Sequence, residues 1–137
     1  MRHNRSIPKC AVIPELAYPD VGEAAAWLCA AFAFDVRLRI GNHRIQLNVG
    51  DGAVVLVELH GKAVDERTHS VMVRVADAES HHENAKRRGA KVLRALADYP
   101  YGERQYTAQD PAGHVWTFTE SIADVEPEAW GGTSVRL

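Results

Sequence analysis

A chain of 137 residues fits one domain or two small fused modules, and it is long enough to bury a core without disulfide staples. Hydrophobic residues at 46% and charged residues at 25% are the balance of an ordinary soluble protein, and a net charge of -2 argues against nucleic acid or an anionic membrane as partner. No stretch reaches the roughly 18 apolar residues that a membrane-spanning helix needs.

The chain opens with the basic "MRHNRSIPK", an N-terminal arm over residues 1–9. It is short and no apolar run follows it, so it is not expected to be a signal or transit peptide. "CAVIPELAY", residues 10–18, reads as a strand that stops at Pro19-Asp20, and Pro14 suggests an edge position or a bulge. In "DVGEAAAWLCAAF" Asp20 caps a helix, with Glu23 three residues on in a capping-box pattern. Ala24, Trp27, Leu28 and Ala31 recur there at helical spacing and make one apolar face. Cys29 falls in this helix as a small buried hydrophobe; neither it nor Cys10 belongs to a CxxC pair, so a reducing cytoplasm is expected. "DVRLRIG", "HRIQLNVG" and "GAVVLVEL" follow as three short strands, separated by the hairpin signals Gly41-Asn42 and Asp51-Gly52.

The same order then recurs. "HSVMVRV" is a strand, and "ADAESHHENAKRRG" is a helix opened by Asp77 and closed by Gly89. "AKVLRAL" is a strand, and "GERQYTAQ" with "GHVWTFTE" forms a hairpin around "DPAG". Asp20 and Asp77 are 57 residues apart, and that offset pairs Ile13 with Ser70 and Glu15 with Met72. Pairing Gly52 with Gly113 sets Leu56 against Thr117, an offset of 61. The expected fold is therefore α+β: two paired β-α-β-β-β modules, residues 10–62 and 69–120, forming a curved mixed sheet around a concave pocket with helices outside. Residues 121–137 read as a C-terminal tail, with Trp130 available to dock it on the body or on a partner.

The segments "YPDVGEAAAWL", "HSVMVRVADAESHHENAKRRGAKV" and "YGERQYTAQDPAGHVWTFTE" resemble the vicinal oxygen chelate superfamily, the glyoxalase and bleomycin-resistance group. The resemblance covers residues 10–120 and implies a homodimer whose pockets are bounded by both chains. It also implies metal ligands on the first and last strand of each module in the catalytic members. Those positions carry over to Ile13, Leu56, Ser70 and Thr117, which hold no donor or only a neutral hydroxyl. No cofactor is therefore expected. A shifted divalent site from Glu15, Glu58 and His69 is the competing arrangement.

The expected ligand-contacting set on the concave face is Glu15, Leu56, Glu58, Ser70, Met72, Arg74 and Thr117. Tyr101 and Arg104 join it from the aromatic loop "LADYPYGERQY", where rings beside an arginine suit a planar or anionic ligand; the competing reading pairs Arg104 with a nearby acid. His81 and His82 read as a solvated helix surface, His114 as a packing or turn-bonding residue, and Trp116 and Phe118 as core. There is no nucleophile motif and no phosphate loop. Two functions fit this set. One is a metal-independent binder that sequesters a drug or metabolite, as bleomycin-resistance-type proteins do. The other is a lyase, isomerase or dioxygenase resembling glyoxalase, with Glu15 or Glu58 as general base.

Overall fold

A computed structural model describes residues 4–61 and 69–136. Residue 62, the expected end of the first module, lies outside the described residues. The first half is β1 (Glu15–Tyr18), α1 (Val21–Phe32), β2 (Asp35–Ile40), β3 (Arg44–Val49) and β4 (Gly52–Glu58). The second is β5 (Val71–Arg74), α2 (Ala78–Arg87), β6 (Lys91–Tyr99), β7 (Glu103–Gln109) and β8 (Val115–Ser121). The α+β class and the repeated β-α-β-β-β order are those expected from the sequence.

Local chemistry sets these boundaries. The Asp20 carboxyl accepts the Glu23 N–H at 2.9 Å, and the Asp77 carboxyl accepts the Ser80 N–H at 3.1 Å, so each helix begins at the acid placed to cap it. Gly89, at φ +89°, turns the chain out of α2 while the Ala90 N–H reaches back to the Ala85 carbonyl at 3.0 Å. α1 ends less comfortably, on Ala33 at φ +63°, the one non-glycine residue in that region among the described residues. β1 is shorter than its apolar run. It starts after Pro14, whose carbonyl still accepts the Val55 N–H at 2.9 Å, and it runs along an edge of its sheet, where a proline does least harm.

Each half makes its own four-stranded sheet, in the orders β1-β4-β3-β2 and β5-β8-β7-β6. Within one chain no strand continues from one sheet into the other among the described residues. The halves meet instead through their helix sides, and α1 packs on α2. One apolar core runs across both. Leu16, Ile45, Leu47, Val54 and Leu56 supply the inner face of the first sheet, and Tyr106, Ala108, Trp116 and Phe118 that of the second. Phe32, the last residue of α1, lies between them, 4.7 Å from the Phe118 ring and 5.8 Å from the Trp116 ring by centroid. A buried aromatic of this kind contributes about 1.5–3 kcal/mol through area alone.

Polar bonds fix the same seam. The Trp27 indole donates to the Arg88 carbonyl at 2.8 Å, and Asn84 donates to the Ala30 and Ala31 carbonyls at 3.0 and 3.1 Å. His114 bonds the Ala17 carbonyl at 2.7 Å, covering the free edge of β1 with a side chain from the other half. Asp110, only 4% exposed, accepts the Tyr18 hydroxyl at 2.5 Å, the Trp116 indole at 3.2 Å and the His114 N–H at 2.9 Å. The "DPAGHVW" stretch is therefore architecture, and it clasps one half to the other.

The tail is anchored as well. The Ile122 and Ala123 N–H groups both donate to the Gly102 carbonyl, and Trp130 meets Tyr101 edge-on at 5.6 Å. Gly102 has φ +85°, and a Cβ there would stand 2.2 Å from the Ala123 carbonyl oxygen. Only glycine fits.

Candidate functional site

Strand register decides which side chains a ligand can meet. Glu15 lies beside Val55 and Met72 beside Thr117, so these four occupy equivalent places on the outer faces, away from the helices. Val55 and Thr117 are 62 residues apart, one more than pairing the glycines suggests. The cause is the last hairpin. Val49 pairs with Gly52 across a two-residue turn, whereas Gln109 pairs with Val115 across a five-residue one. Gly52 and Gly113 therefore do not correspond, and a slip of one residue moves every side chain to the opposite face.

That slip corrects two expected contacts. Leu56 does not line an outer face; it is fully buried in the core against the helices. Glu58 pairs with Tyr18 in the register that aligns Leu56 with Leu16, so it projects to the helix side, near Asp20 and Gly22 at the start of α1. Glu15 is on the outer face, ion-paired with Arg44 at 2.7 Å. The two acids of the shifted metal site thus sit on opposite faces of one sheet. Among the described residues no three His, Cys, Asp or Glu side chains converge. The four equivalent positions, Glu15, Val55, Met72 and Thr117, hold a single carboxyl between them, which does not fit a divalent ion.

The two outer faces differ. On the first sheet Gln46 and Val55 are buried, at 0% and 2% exposure. The N-terminal arm lies over Gln46: its amide donates to the Ser6 carbonyl at 2.7 Å, and Arg37 donates to the Arg5 and Ile7 carbonyls at 3.1 and 3.3 Å. On the second sheet a polar row runs across β7 and β8, and its members Gln105, Thr117 and Thr119 are buried too, at 5%, 7% and 5% exposure. Thr107 and Thr117 share a hydrogen bond of 2.8 Å, Gln105 donates to Thr119 at 3.1 Å, and Thr119 donates to Glu103 at 2.6 Å. Burial alone would raise the Glu103 pKa, but hydrogen bonds with Ser121 and Thr119, aided by the Arg74 charge, outweigh it and hold it below the ordinary value. Met72 stands beside this row, 63% exposed, and Arg74 bonds the Ser121 hydroxyl at its end. Ser70 is exposed just ahead of β5. Tyr101 closes the row from the β6–β7 turn, its hydroxyl donating to Gln105 at 3.1 Å and its ring stacked on Tyr99 at 5.4 Å.

Arg104 does not join the row. Its neighbour two residues on, Tyr106, is in the core, so Arg104 shares the helix side and forms a two-pronged pair with Asp98 at 2.7 and 3.1 Å. The pair lowers the Asp98 pKa and raises that of Arg104.

His81 also departs from expectation. It is no surface residue, but bonds Tyr106 at 2.6 Å and the Phe32 carbonyl at 3.0 Å, with its ring 4.3 Å from Phe118. A carbonyl only accepts, so Nε2 carries the proton and Nδ1 accepts from the Tyr106 hydroxyl. Burial lowers the His81 pKa against the raising effect of the Phe32 bond, and burial raises that of Tyr106. Thr119 shares the outer face with Thr117, as the alternation of "GHVWTFTE" predicts, whereas Gln46, Gln105 and Thr107 are outer-face residues not singled out from the sequence; period-two alternation on the partner strands is the available signal.

A model of the "Glyoxalase/Bleomycin resistance protein/Dioxygenase superfamily" matches residues 7–118. Among solved structures, TioX from Micromonospora sp. ML1 is 31% identical with a TM-score of 0.70, over 85% of this chain and 99% of that one. A glyoxalase/bleomycin resistance protein/dioxygenase from Alicyclobacillus acidocaldarius is 16% identical with a TM-score of 0.65, over 86% and 96%. A glyoxalase/bleomycin resistance protein from Streptomyces sp. CB03234 is 20% identical with a TM-score of 0.64, over 77% and 96%. Comparison with curated protein sequences gives no match.

Proposed function

The chain belongs to the glyoxalase/bleomycin resistance/dioxygenase superfamily, and we propose that within it this protein is a metal-independent binder that sequesters a small molecule. One observation carries the reading. Of the four equivalent outer-face positions, three hold Val55, Met72 and Thr117, and the fourth, Glu15, is neutralised by Arg44. Sequestration asks only for a shaped surface with a few polar groups, and needs neither an activated water nor a general base.

The second sheet supplies such a surface. Thr117, Thr119 and Gln105 form a nearly buried floor, 5–7% exposed, whose hydrogen bonds are already satisfied, so an apolar or aromatic body brought against it strands no donor. Met72 adapts to irregular ligands, and Arg74, Ser70 and Tyr101 stand at the margins for anionic or planar groups. A face of this kind is half a pocket. A second copy of the chain closes it in this proposal, and the exposed Met72 and Ile40 on the outer faces support that pairing. Glu15 also favours one alternative, a metal-free lyase or isomerase in which it acts as general base once Arg44 swings away.

The test is metal content by mass spectrometry after incubation with Ni, Zn, Mn or Fe(II) and desalting, together with a thermal-shift screen of antibiotics and aromatic metabolites. Metal below a tenth of an equivalent, with a ligand whose stabilisation is lost in Thr117→Trp, supports the binder. Near one equivalent of metal, retained in the face of desalting and lost in Glu15→Ala, overturns it.

A further inference from the structure

The helix side carries a second cavity that the outer-face reading does not use. It is an open cleft of about 320 Å³ where the two halves meet, between β1, the first turns of α1 and the β7–β8 turn. Its walls are apolar, from Ala24, Trp27 and Leu28 on α1 to Pro111 and Ala112 on the opposite turn. Three carboxyls border it, Asp20, Glu23 and Asp110, and among the described residues no lysine, arginine or histidine lines it.

We propose that this seam cleft is a site for a small organic cation, a protonated amine on an aromatic or aliphatic body, separate from the outer-face site. Charge selects the occupant. The start of a helix carries roughly half a positive charge, which on its own would favour an anion. Here Asp20 already accepts the Glu23 N–H and so occupies that end, Asp110 is buried and bonded to Tyr18, Trp116 and His114, and the exposed Glu23 is the carboxyl left at the rim. An anion would meet carboxyls in place of free N–H groups. Among the described residues Glu23 makes no ion pair and is exposed, so it can turn to an arriving ammonium.

Shape selects the body. Trp27 is held twice, by its indole bond to the Arg88 carbonyl at 2.8 Å and by edge-on contact with Phe32 at 5.0 Å. A ring fixed in this way presents a ready surface for stacking, or for a cation over its face, without an ordering cost on binding. A volume near 320 Å³ lies at the small end of ligand pockets and admits a single substituted ring rather than a large antibiotic.

The experiment titrates the full chain with 2-phenylethylamine, 2-phenylethanol or 3-phenylpropanoate, following backbone and indole N–H signals by NMR. The amine is expected to move the Trp27 indole signal and the amides of residues 18–28 and 110–112, and to bind about fivefold or more tightly than the alcohol, the size of one exposed close ion pair. The propanoate should bind most weakly. Glu23→Gln should bring amine and alcohol together. Ala112→Leu and Ala24→Leu each fill the cleft and should abolish the shifts; two variants are used because either one alone can disturb packing. Equal binding of amine and alcohol, no binding by any probe, or shifts centred on residues 103–109 and 115–121 would each overturn the proposal, the last by moving the site to the outer face.

Discussion

Asp110→Ala should cost about 2–3 kcal/mol of folding stability. The residue is 4% exposed and accepts the fully buried Trp116 indole, the Tyr18 hydroxyl and the His114 N–H. Removing the acceptor strands the indole, at about 1–3 kcal/mol for a buried unsatisfied donor, and loses the Tyr18 bond, at about 1 kcal/mol. The adjoining seam cleft lets water approach, so the lower half of that range is appropriate. Asp110→Asn keeps one acceptor oxygen and should cost about half as much. The assay is urea unfolding of both variants, of Tyr18→Phe, and of the Tyr18→Phe/Asp110→Ala pair. Tyr18 and Asp110 come from different halves, so their coupling energy reports directly on the seam, and it should be about 1 kcal/mol. Strictly additive single-variant effects, or an Asp110→Ala cost below about 0.5 kcal/mol, would show that the halves do not meet this way in solution.

Three further outcomes follow from the same seam and its flanks. His81 has a depressed pKa in the folded chain, because burial disfavours its charged form. Its contribution to stability is thus fully present above the unfolded value of about 6.5 and is lost as pH falls toward and through the folded value. His81→Gln should flatten the slope of unfolding free energy between pH 7.5 and 5, and an unchanged slope would remove His81 as the cause. Ala33 and Gly102 both have positive φ but should respond in opposite directions. Ala33→Gly relieves a left-handed alanine and should stabilise by about 1 kcal/mol, whereas Gly102→Ala drives a Cβ into the Ala123 carbonyl and should destabilise by about 2 kcal/mol or more, both read from thermal unfolding. Arg104→Ala should leave the unfolding midpoint almost unchanged in the same assay, since its pair with Asp98 is solvent-exposed; a clear loss would mean a role beyond that pair.

Much of the fold is written locally. Asp20 and Asp77 mark helix starts through short side chains that bond N–H groups three residues on, and the hairpins follow from turn residues. Such signals need no knowledge of distant sequence. The site is less legible because it depends on register. A strand shows a side chain to one face or the other with a period of two, and the unequal turns at 50–51 and 110–114 hid a single residue of difference. Thr117 and Met72 were placed on the right face because the second half was read from its own pattern. Leu56 and Glu58 were misplaced because they were read by analogy with it. His81 was opaque for another reason. Its polar neighbours on α2 suggest solvent, and only the Phe32 carbonyl, 49 residues earlier, explains its burial.

The N-terminal arm gives the two outer faces different chemical surfaces. Over the first sheet the chain has laid down its own main-chain segment, tied by Arg37 and Gln46 through the carbonyls of Arg5, Ser6 and Ile7. The second sheet keeps a carpet of hydroxyl and amide groups bonded to one another, with Gln105, Thr117 and Thr119 only 5%, 7% and 5% exposed. The repeat has therefore lost its equivalence without losing its fold. A molecule held between unlike faces would have peptide backbone on one side and side-chain hydroxyls on the other. The direction in which it lies would then be set by the short segment Arg5–Ile7.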